Sequence, residues 1–451
     1  ERVGFGQFPN EHRSPMAAAE KLVITATQAR IAGAGGDATK LTPAAIASHV
    51  GLVTNYGRIP QQFPFWSDIF VAVPDLRRRL LNQVEAGGIT VLAGKPGAGK
   101  SWELTALTKT LRNQGAVVAS HYCYLEPGDP EVQRRITLNI FYGNLIAEIL
   151  DALPGLRAKN IARYAAGPNE LQALLAAAAE LKPARRLVVI VDGLDHIARV
   201  LRDAPGVAPE DTAIAADLLA LKLPPTVSVI VGSQPGDHIA ALAKAGQLLT
   251  VPEWNEAAVA RFLARVPLGK LLRRRRLSQK ALSRFVGDLR NRAEGNALYC
   301  TYLCREITQR LNAEPAGDPQ TILGQLPASA GVLSTYYEFL FASLDMGGVM
   351  VADAMGLIDF SVTPAELAEI FPAFAACLPA ILHQLRPILE DTRGRGGLRI
   401  YHESFRRHIL DKARQRRDKI GPKLRDIILW LEGRGFLDDS RAYRFLLPNL
   451  V

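Results

Sequence analysis

Long hydrophobic runs are missing from this chain. The longest apolar stretch, residues 171–181, is rich in Ala and interrupted by Glu180, whereas a membrane-spanning helix needs roughly 18 consecutive apolar residues; no membrane span and no membrane partner are expected. Cysteine is scarce. Cys123, Cys300, Cys304 and Cys377 are scattered with no CxxC pair, which excludes a disulfide framework and a zinc knuckle and fits a reducing cytoplasm. Acidic residues are outnumbered, 44 against 54 basic, and the resulting net charge of +10 favours polyanionic partners. That excess reads mainly as a solvated surface plus a phosphate site, with a nucleic-acid face as the minor alternative. The first residue is Glu1 and no charged-then-apolar leader follows it, as expected of an excised piece with flanking domains elsewhere. What the chain does have is 451 residues, 48% of them apolar, enough for about two to four domains with substantial cores.

Residues 1–75 read as a connector, with a helix at 16–32, a Gly-rich break at 33–36 and a loop through Gly57, Pro60 and Pro64. From Ile89 short β-rich runs alternate with helical stretches, the pattern of βαβ units around a parallel sheet. The predicted strands are 89–93, 117–124, 187–191, 227–231 and 248–251, with amphipathic helices such as 101–113 and 136–150 between them, giving an α/β domain over 76–253. After Trp254 apolar residues recur at helical spacing, as in Phe262, Leu263 and Val266, and predict a helical lid domain over 254–330. Leu333, Tyr336, Tyr337, Leu340, Phe341 and Leu344 open a third unit; helices at 363–371 and 378–389 and a turn at 393–397 predict a winged helix over 331–420. Residues 421–451 are expected to begin a C-terminal helical sensor region that is cut in an apolar run, 443–451, with nothing to pack on.

Gly94-Lys95-Pro96-Gly97-Ala98-Gly99-Lys100-Ser101 satisfies GxxxxGK[ST], directly after a predicted strand and directly before an amphipathic helix, the context that motif requires. Glycines let backbone N–H groups wind around phosphates, and the helix start adds about half a positive charge. Lys100 is placed to bridge the β- and γ-phosphates and the Ser101 hydroxyl to ligate Mg²⁺. A Gly-rich turn alone does not explain why Lys and Ser stand in register. The buried-strand run before Asp192 ends in the carboxylate expected to hold Mg²⁺ with Ser101. Asp195 is placed to orient or deprotonate an attacking water, with a helix N-cap as its alternative role. Gly94, Pro96, Gly97, Ala98, Gly99, Lys100, Ser101 and the following Trp102 are therefore expected nucleotide contacts, Asp192 and Asp195 the expected catalytic carboxylates, and ATP or ADP with Mg²⁺ the expected cofactors. The fold class is an α/β P-loop NTPase: a parallel five-stranded sheet followed by a helical lid domain and a winged-helix domain.

The order of these motifs resembles the STAND class of signal-transduction NTPases, which includes the NACHT and NB-ARC proteins of innate immunity and their bacterial antiviral relatives. Residues 188–196, VVIVDGLDH, are close to the DG-x-D-E pattern of that class; 294–299, EGNALY, are similar to its GNPLY lid segment, and 401–406, YHESFR, to its winged-helix His motif. The resemblance spans about residues 76–420. It implies an ADP-bound closed monomer held by His402. A trigger, with a phage protein as a candidate, would act through a C-terminal sensor, ATP would replace ADP, and the opened protomers would self-oligomerise to activate an N-terminal effector in antiviral defence. The resemblance adds His402, and Ala297 at the lid Pro position, to the expected nucleotide contacts. The chain departs from the class pattern at His196, where many relatives carry Glu, at Gln234, where an Arg commonly follows the fourth strand, and at Ala297, so hydrolysis is expected to be slow.

Two alternatives share the motif set: a DNA-loading AAA-type ATPase of the origin-recognition kind, and a scaffold that binds ATP without turnover. The acidic motif Asp192-Gly193-Leu194-Asp195 and the pair Tyr401-His402 favour the switch over the DNA loader. Three weaker signals complete the reading. Tyr56 to Pro60 lie where relatives place adenine contacts, Arg273 to Arg276 form a basic run read as a solvated helix face, with an oligomer contact or a nucleic-acid contact as alternatives, and Cys300 and Cys304, one helical turn apart, read as core.

Overall fold

The structure, a computed structural model, describes residues 58–126, 129, 131–159, 167–181, 185–202, 207–358, 360–391, 397–416, 420–436, 438–439, 441–442 and 445. The expected helix at 16–32, Tyr56, Gly57 and the tip of the expected turn at 393–396 lie outside the described residues.

Five short runs of apolar, largely β-branched residues become β1 (Gly88–Ala93), β2 (Val117–Tyr122), β3 (Leu187–Asp192), β4 (Val227–Ser233) and β5 (Gln247–Thr250). They form one parallel sheet in the order β2-β3-β4-β1-β5, so the expected sheet is present. Successive side chains point to opposite faces, and helices cover both. Helices α1 (Pro74–Ala86) and α2 (Lys100–Asn113) place Leu76, Leu80, Leu104 and Leu107 against Leu92, Val188, Ile190 and Ile230. On the other face α3 (Leu138–Ala152) and α4 (Pro168–Leu181) place Phe141, Leu145, Leu171 and Leu175 against Val91, Val189 and Val229. Each such buried side chain contributes roughly 1.5–3 kcal/mol. The longest apolar stretch of the sequence is therefore a sheet-covering helix. β2 stands at the sheet edge, and residues 59–61 cross beside it: the Tyr122 amide donates to Gln61 Oε1 at 2.7 Å and the Ile59 amide to Asn144 Oδ1 at 3.0 Å.

Beyond the sheet lie α5 (Glu256–Arg265), α6 (Pro267–Arg274), α7 (Gln279–Arg292), α8 (Ala297–Ala313) and α9 (Pro319–Gln325). Side-chain caps from Asn255, Ser278, Asn296 and Asp318 start four of them. The third unit comprises α10 (Ser334–Ala342), α11 (Met346–Leu357), α12 (Pro364–Ile370), α13 (Leu378–Leu385), an antiparallel ribbon β6 (Leu389–Asp391) with β7 (Leu398–Ile400), then α14 (Glu403–Gln415) and α15 (Ile420–Gly433). One apolar core runs through both sets, from Trp254 through Tyr302 and Tyr336 to Leu431. Cys300 and Cys304 belong to it, 0% and 2% exposed, as expected of core residues.

Two expectations need correction. The helix expected to run to residue 389 stops at Leu385, because Pro387 has no N–H to continue the α-helical ladder and the chain tightens into a 3-10 turn over Arg386–Ile388. And the apolar run expected to have nothing to pack on finds a partner in the third unit: Ile427 and Leu431 of α15 are buried in that unit's core, Trp430 stacks on Phe360 at 5.8 Å, and Phe445 packs on the same ring at 5.3 Å.

Candidate functional site

Because β4 lies between β1 and β3, the loop leaving β1 and the carboxylate ending β3 sit on either side of the tip of β4. At that level β4 carries Gly232, in register with both Leu92 and Asp192. A Cβ on Gly232 would stand 2.2 Å from Asp192 Oδ1 and 2.5 Å from Leu104 Cδ1. The missing side chain is thus what lets Asp192 lean across β4 toward the loop and hydrogen bond with Ser101.

In the loop, Gly97 and Gly99 take φ of +72° and +96°, the left-handed region that glycine adopts without strain. Gly97 has a second constraint, since a Cβ there would lie 2.6 Å from Leu298 Cβ. The start of α8 presses directly on this loop: the Leu298 amide donates to the Gly97 carbonyl at 3.1 Å and Asn296 Nδ2 to the Pro96 carbonyl at 3.0 Å. Ala297, the first residue of α8, lines the cavity between them. Lys100 Nζ donates to the carbonyls of Gly94 and Lys95 at 2.8 and 3.2 Å. Burial lowers its pKa, and the nearby Asp195 and Asp192 oppose that shift.

The two acidic residues differ in kind. Asp192 is 2% exposed, and its Oδ1 has no hydrogen-bond partner among the described residues. Burial raises its pKa to about 6, against the Ser101 hydroxyl and Lys100, which favour the charged form. An orphaned carboxylate oxygen beside a serine hydroxyl fits a divalent cation, which would hold Asp192 ionised and complete its coordination through phosphate and water oxygens. Mg²⁺ would thus be held by Ser101 and Asp192, and would supply charge neutralisation at the phosphates. Asp195, by contrast, is fully engaged. Its Oδ1 accepts from the Gln234 amide at 3.1 Å and Ser233 Oγ at 3.4 Å, and its Oδ2 pairs with Arg199 at 3.2 Å and faces His196 at 3.6 Å. Burial pushes its carboxyl up, and His196, Arg199 and Lys100 more than reverse this, leaving its pKa below the usual carboxylate range. Such a group suits orienting a neighbour better than taking up a proton.

The third unit closes the cavity, whose volume is about 300 Å³. Tyr401, His402, Glu403 and Arg407 line it together with the phosphate loop and both acidic residues, although they lie more than 200 residues further along the chain than either. His402 caps α14: its Nδ1 accepts from the Ser404 amide at 3.2 Å, which leaves Nε2–H as the ring's donor. Burial, then the charges of Lys100 and Arg199, lower its pKa to about 4, so the ring is neutral at pH 7. Two contacts join this unit to the loop after β2. Tyr124 Oη donates to Glu403 Oε2 at 2.8 Å while its ring stacks on His196 at 4.3 Å, and Arg399 pairs with Glu126 at 2.6 Å.

At the other end of the cavity the lining is aromatic. Trp102 meets Phe65, Trp66 and Phe70 at centroid distances of 5.4, 5.7 and 6.4 Å, and Trp66 stacks on Tyr401 at 6.4 Å. Of the segment expected to reach this region, Arg58 pairs instead with Asp151 at 2.8 Å and Ile59 is buried in packing. The residues that do reach it, Phe63, Trp66 and Phe70, were open to detection as an aromatic cluster, Phe63-Pro64-Phe65-Trp66, in a chain only 7% aromatic. Tyr124, Arg199 and Glu403 carry no comparable sequence signal. The basic run also divides: Arg273, Arg274 and Arg276 are exposed, whereas Arg275 donates to the backbone carbonyls of Pro315 and Gly317 and is a structural tie.

Residues 75–204 match the family described as Nephrocystin 3, N-terminal. Comparison with curated protein sequences gives no match. Among solved structures the chain is similar to a STAND protein with a tetratricopeptide repeat sensor from Pyrococcus horikoshii, at TM-score 0.46 and 12% identity over 84% of this chain and 48% of that one. It is also similar to the ORC2 protein of Aeropyrum pernix in its ADPNP–ADP complexes (TM-score 0.34, 12% identity, 76% of this chain and 93% of that one). A third likeness is to domain III of the replication initiation protein DnaA from Thermotoga maritima (0.30, 11%, 58% and 96%). The chain spans about half the length of the Pyrococcus protein. Phosphate loop, acidic strand end and five-stranded parallel sheet give this chain the fold of an α/β P-loop NTPase.

Proposed function

We propose that this chain is a nucleotide-operated switch in which ADP with Mg²⁺ holds the third unit closed over the phosphate loop and ATP favours an opened form that self-associates and activates an effector. The observation that carries the reading is the shared cavity: His402 and Glu403 line it opposite Lys100 and Asp192, so a nucleotide bound there lies at the joint between the sheet and the third unit. A neutral His402 offers an Nε2–H donor, suited to the diphosphate of ADP. Lys100 and the loop amides would hold the phosphates, Ser101 and Asp192 the Mg²⁺, and Asp195 would orient a water, so that turnover resets the switch slowly. The Trp102 and Trp66 end of the cavity suits a purine base. A role in antiviral defence, with a trigger sensed by a region beyond the helices described, rests on the order of the motifs.

Lys100→Ala tests the foundation. Nucleotide at 100 times its Kd should stabilise the parent by about 2.7 kcal/mol, and the mutant should lose that stabilisation in a thermal melt. An undiminished nucleotide-induced shift would overturn the assignment.

A further inference from the structure

We infer that Arg199 is the residue that reads the terminal phosphate of a bound nucleoside triphosphate, supplying from the helix Ile197–Arg202 the positive charge that the tip of β4 lacks. The inference rests on the phosphate-site reading above and adds a residue to it.

Three observations lead there. The strand tip that adjoins both the phosphate loop and the acidic motif ends in Ser233 and Gln234, neither of which is a cation, and Gln234 engages Asp195 through its backbone amide. Arg199 occupies the space beyond it. Its side chain is 19% exposed and lines the cavity, and one terminal nitrogen holds Asp195 Oδ2 at 3.2 Å. Its Nε is inaccessible to solvent and has no hydrogen-bond partner among the described residues. Nε is thus closed to the cavity, and a phosphate oxygen would meet the edge of the guanidinium that lines it, whose planar donor set is a good match.

The surrounding charges point the same way. Arg407 lines the same cavity from α14, close enough to Arg199 for the two charges to repel, and Lys100 lies nearby, while Asp195 and Glu403 offset part of that repulsion. The other lining arginine, Arg399, is engaged by Glu126 and Glu390. An anion beside Arg199 would relieve that repulsion. With a diphosphate held by the loop and Lys100, a third phosphate would have the acidic motif and Arg199 as its neighbours in the same cavity. Arg199 is also bonded to Asp195, so contact with that phosphate would be felt directly at the water-orienting carboxylate.

The test is calorimetric titration of the chain and its variants with Mg²⁺-ADP and with a non-hydrolysable Mg²⁺-ATP analogue. Arg199→Gln should weaken triphosphate binding by about 10- to 100-fold, the loss expected for one charge-assisted contact, and leave ADP affinity within about threefold; Arg199→Lys should fall between. Equal losses for both nucleotides, or no loss for either, would overturn the inference. So would an Asp195→Asn variant that reproduces the triphosphate-selective loss in full, because Arg199 would then act only by holding Asp195. A parent chain that binds neither nucleotide would instead refute the phosphate-site reading, and this assignment with it.

Discussion

Replacing Tyr124 by phenylalanine removes one hydroxyl from the joint between the sheet and the third unit. That hydroxyl donates to Glu403 Oε2 at 2.8 Å, at the first residue of α14, while the ring it sits on stacks against His196. The stacking and the buried ring area survive the substitution, so the change isolates the hydrogen bond. A bond to a charged group contributes about 1.5–3 kcal/mol. Glu403 has other interactions that cushion the loss, which places the effect near the lower figure, about 1.5 kcal/mol or roughly tenfold in the closed-to-open ratio. Stopped-flow release of a fluorescent ADP analogue should therefore be about tenfold faster in Tyr124→Phe. The double variant with Glu403→Ala should be no faster than the more affected single variant, because both remove the same bond. An ADP off-rate within twofold of the parent, or fully additive effects, would refute the argument that this contact holds the unit closed.

Two further outcomes follow from the geometry. Gly232→Ala should destabilise the fold by about 1–3 kcal/mol in urea unfolding, since the new methyl collides with Asp192 and Leu104; it should also remove the Mg²⁺ dependence of nucleotide binding, and a parental midpoint with intact Mg²⁺ dependence would contradict this. His402 has a folded pKa lowered to about 4, so its contribution to stability is present above the unfolded value of about 6.5 and is lost as pH falls toward 4. Asn at that position keeps a capping acceptor but does not titrate. The stability advantage of the parent over His402→Asn should therefore shrink by about 3 kcal/mol between pH 7 and pH 4, with Asp192 titrating alike in both proteins; a constant difference would count against a buried neutral imidazole.

The sheet and its phosphate loop were legible because their signals are local. Buried parallel strands are continuous apolar runs such as Leu187–Asp192, and the loop's glycines, lysine and serine are contiguous. The cavity's far wall was legible only in part. The residues near His402 could be placed by resemblance, but the bond from Tyr124 to Glu403 joins residues 279 apart and neither has a sequence context that announces it. Gly232 is equally silent in sequence, because its role depends on which strand lies between β1 and β3. Asp195 could be read as catalyst or cap, and its ties to Ser233 and Gln234 appear only once β4 is placed beside β3. The helix end at Leu385 was open to reading from Pro387, whose missing N–H breaks the α-helical ladder despite the apolar spacing that continues past it.

The central claim is that a nucleotide in this cavity sets the position of the third unit. Hydrogen exchange of the segments 94–101 and 399–407 measures it directly, with Mg²⁺-ADP compared against a non-hydrolysable Mg²⁺-ATP analogue. Both segments should be protected by ADP, whereas the triphosphate should keep 94–101 protected and release 399–407. Exchange in 399–407 that is the same with either nucleotide, while 94–101 responds to both, would contradict the account.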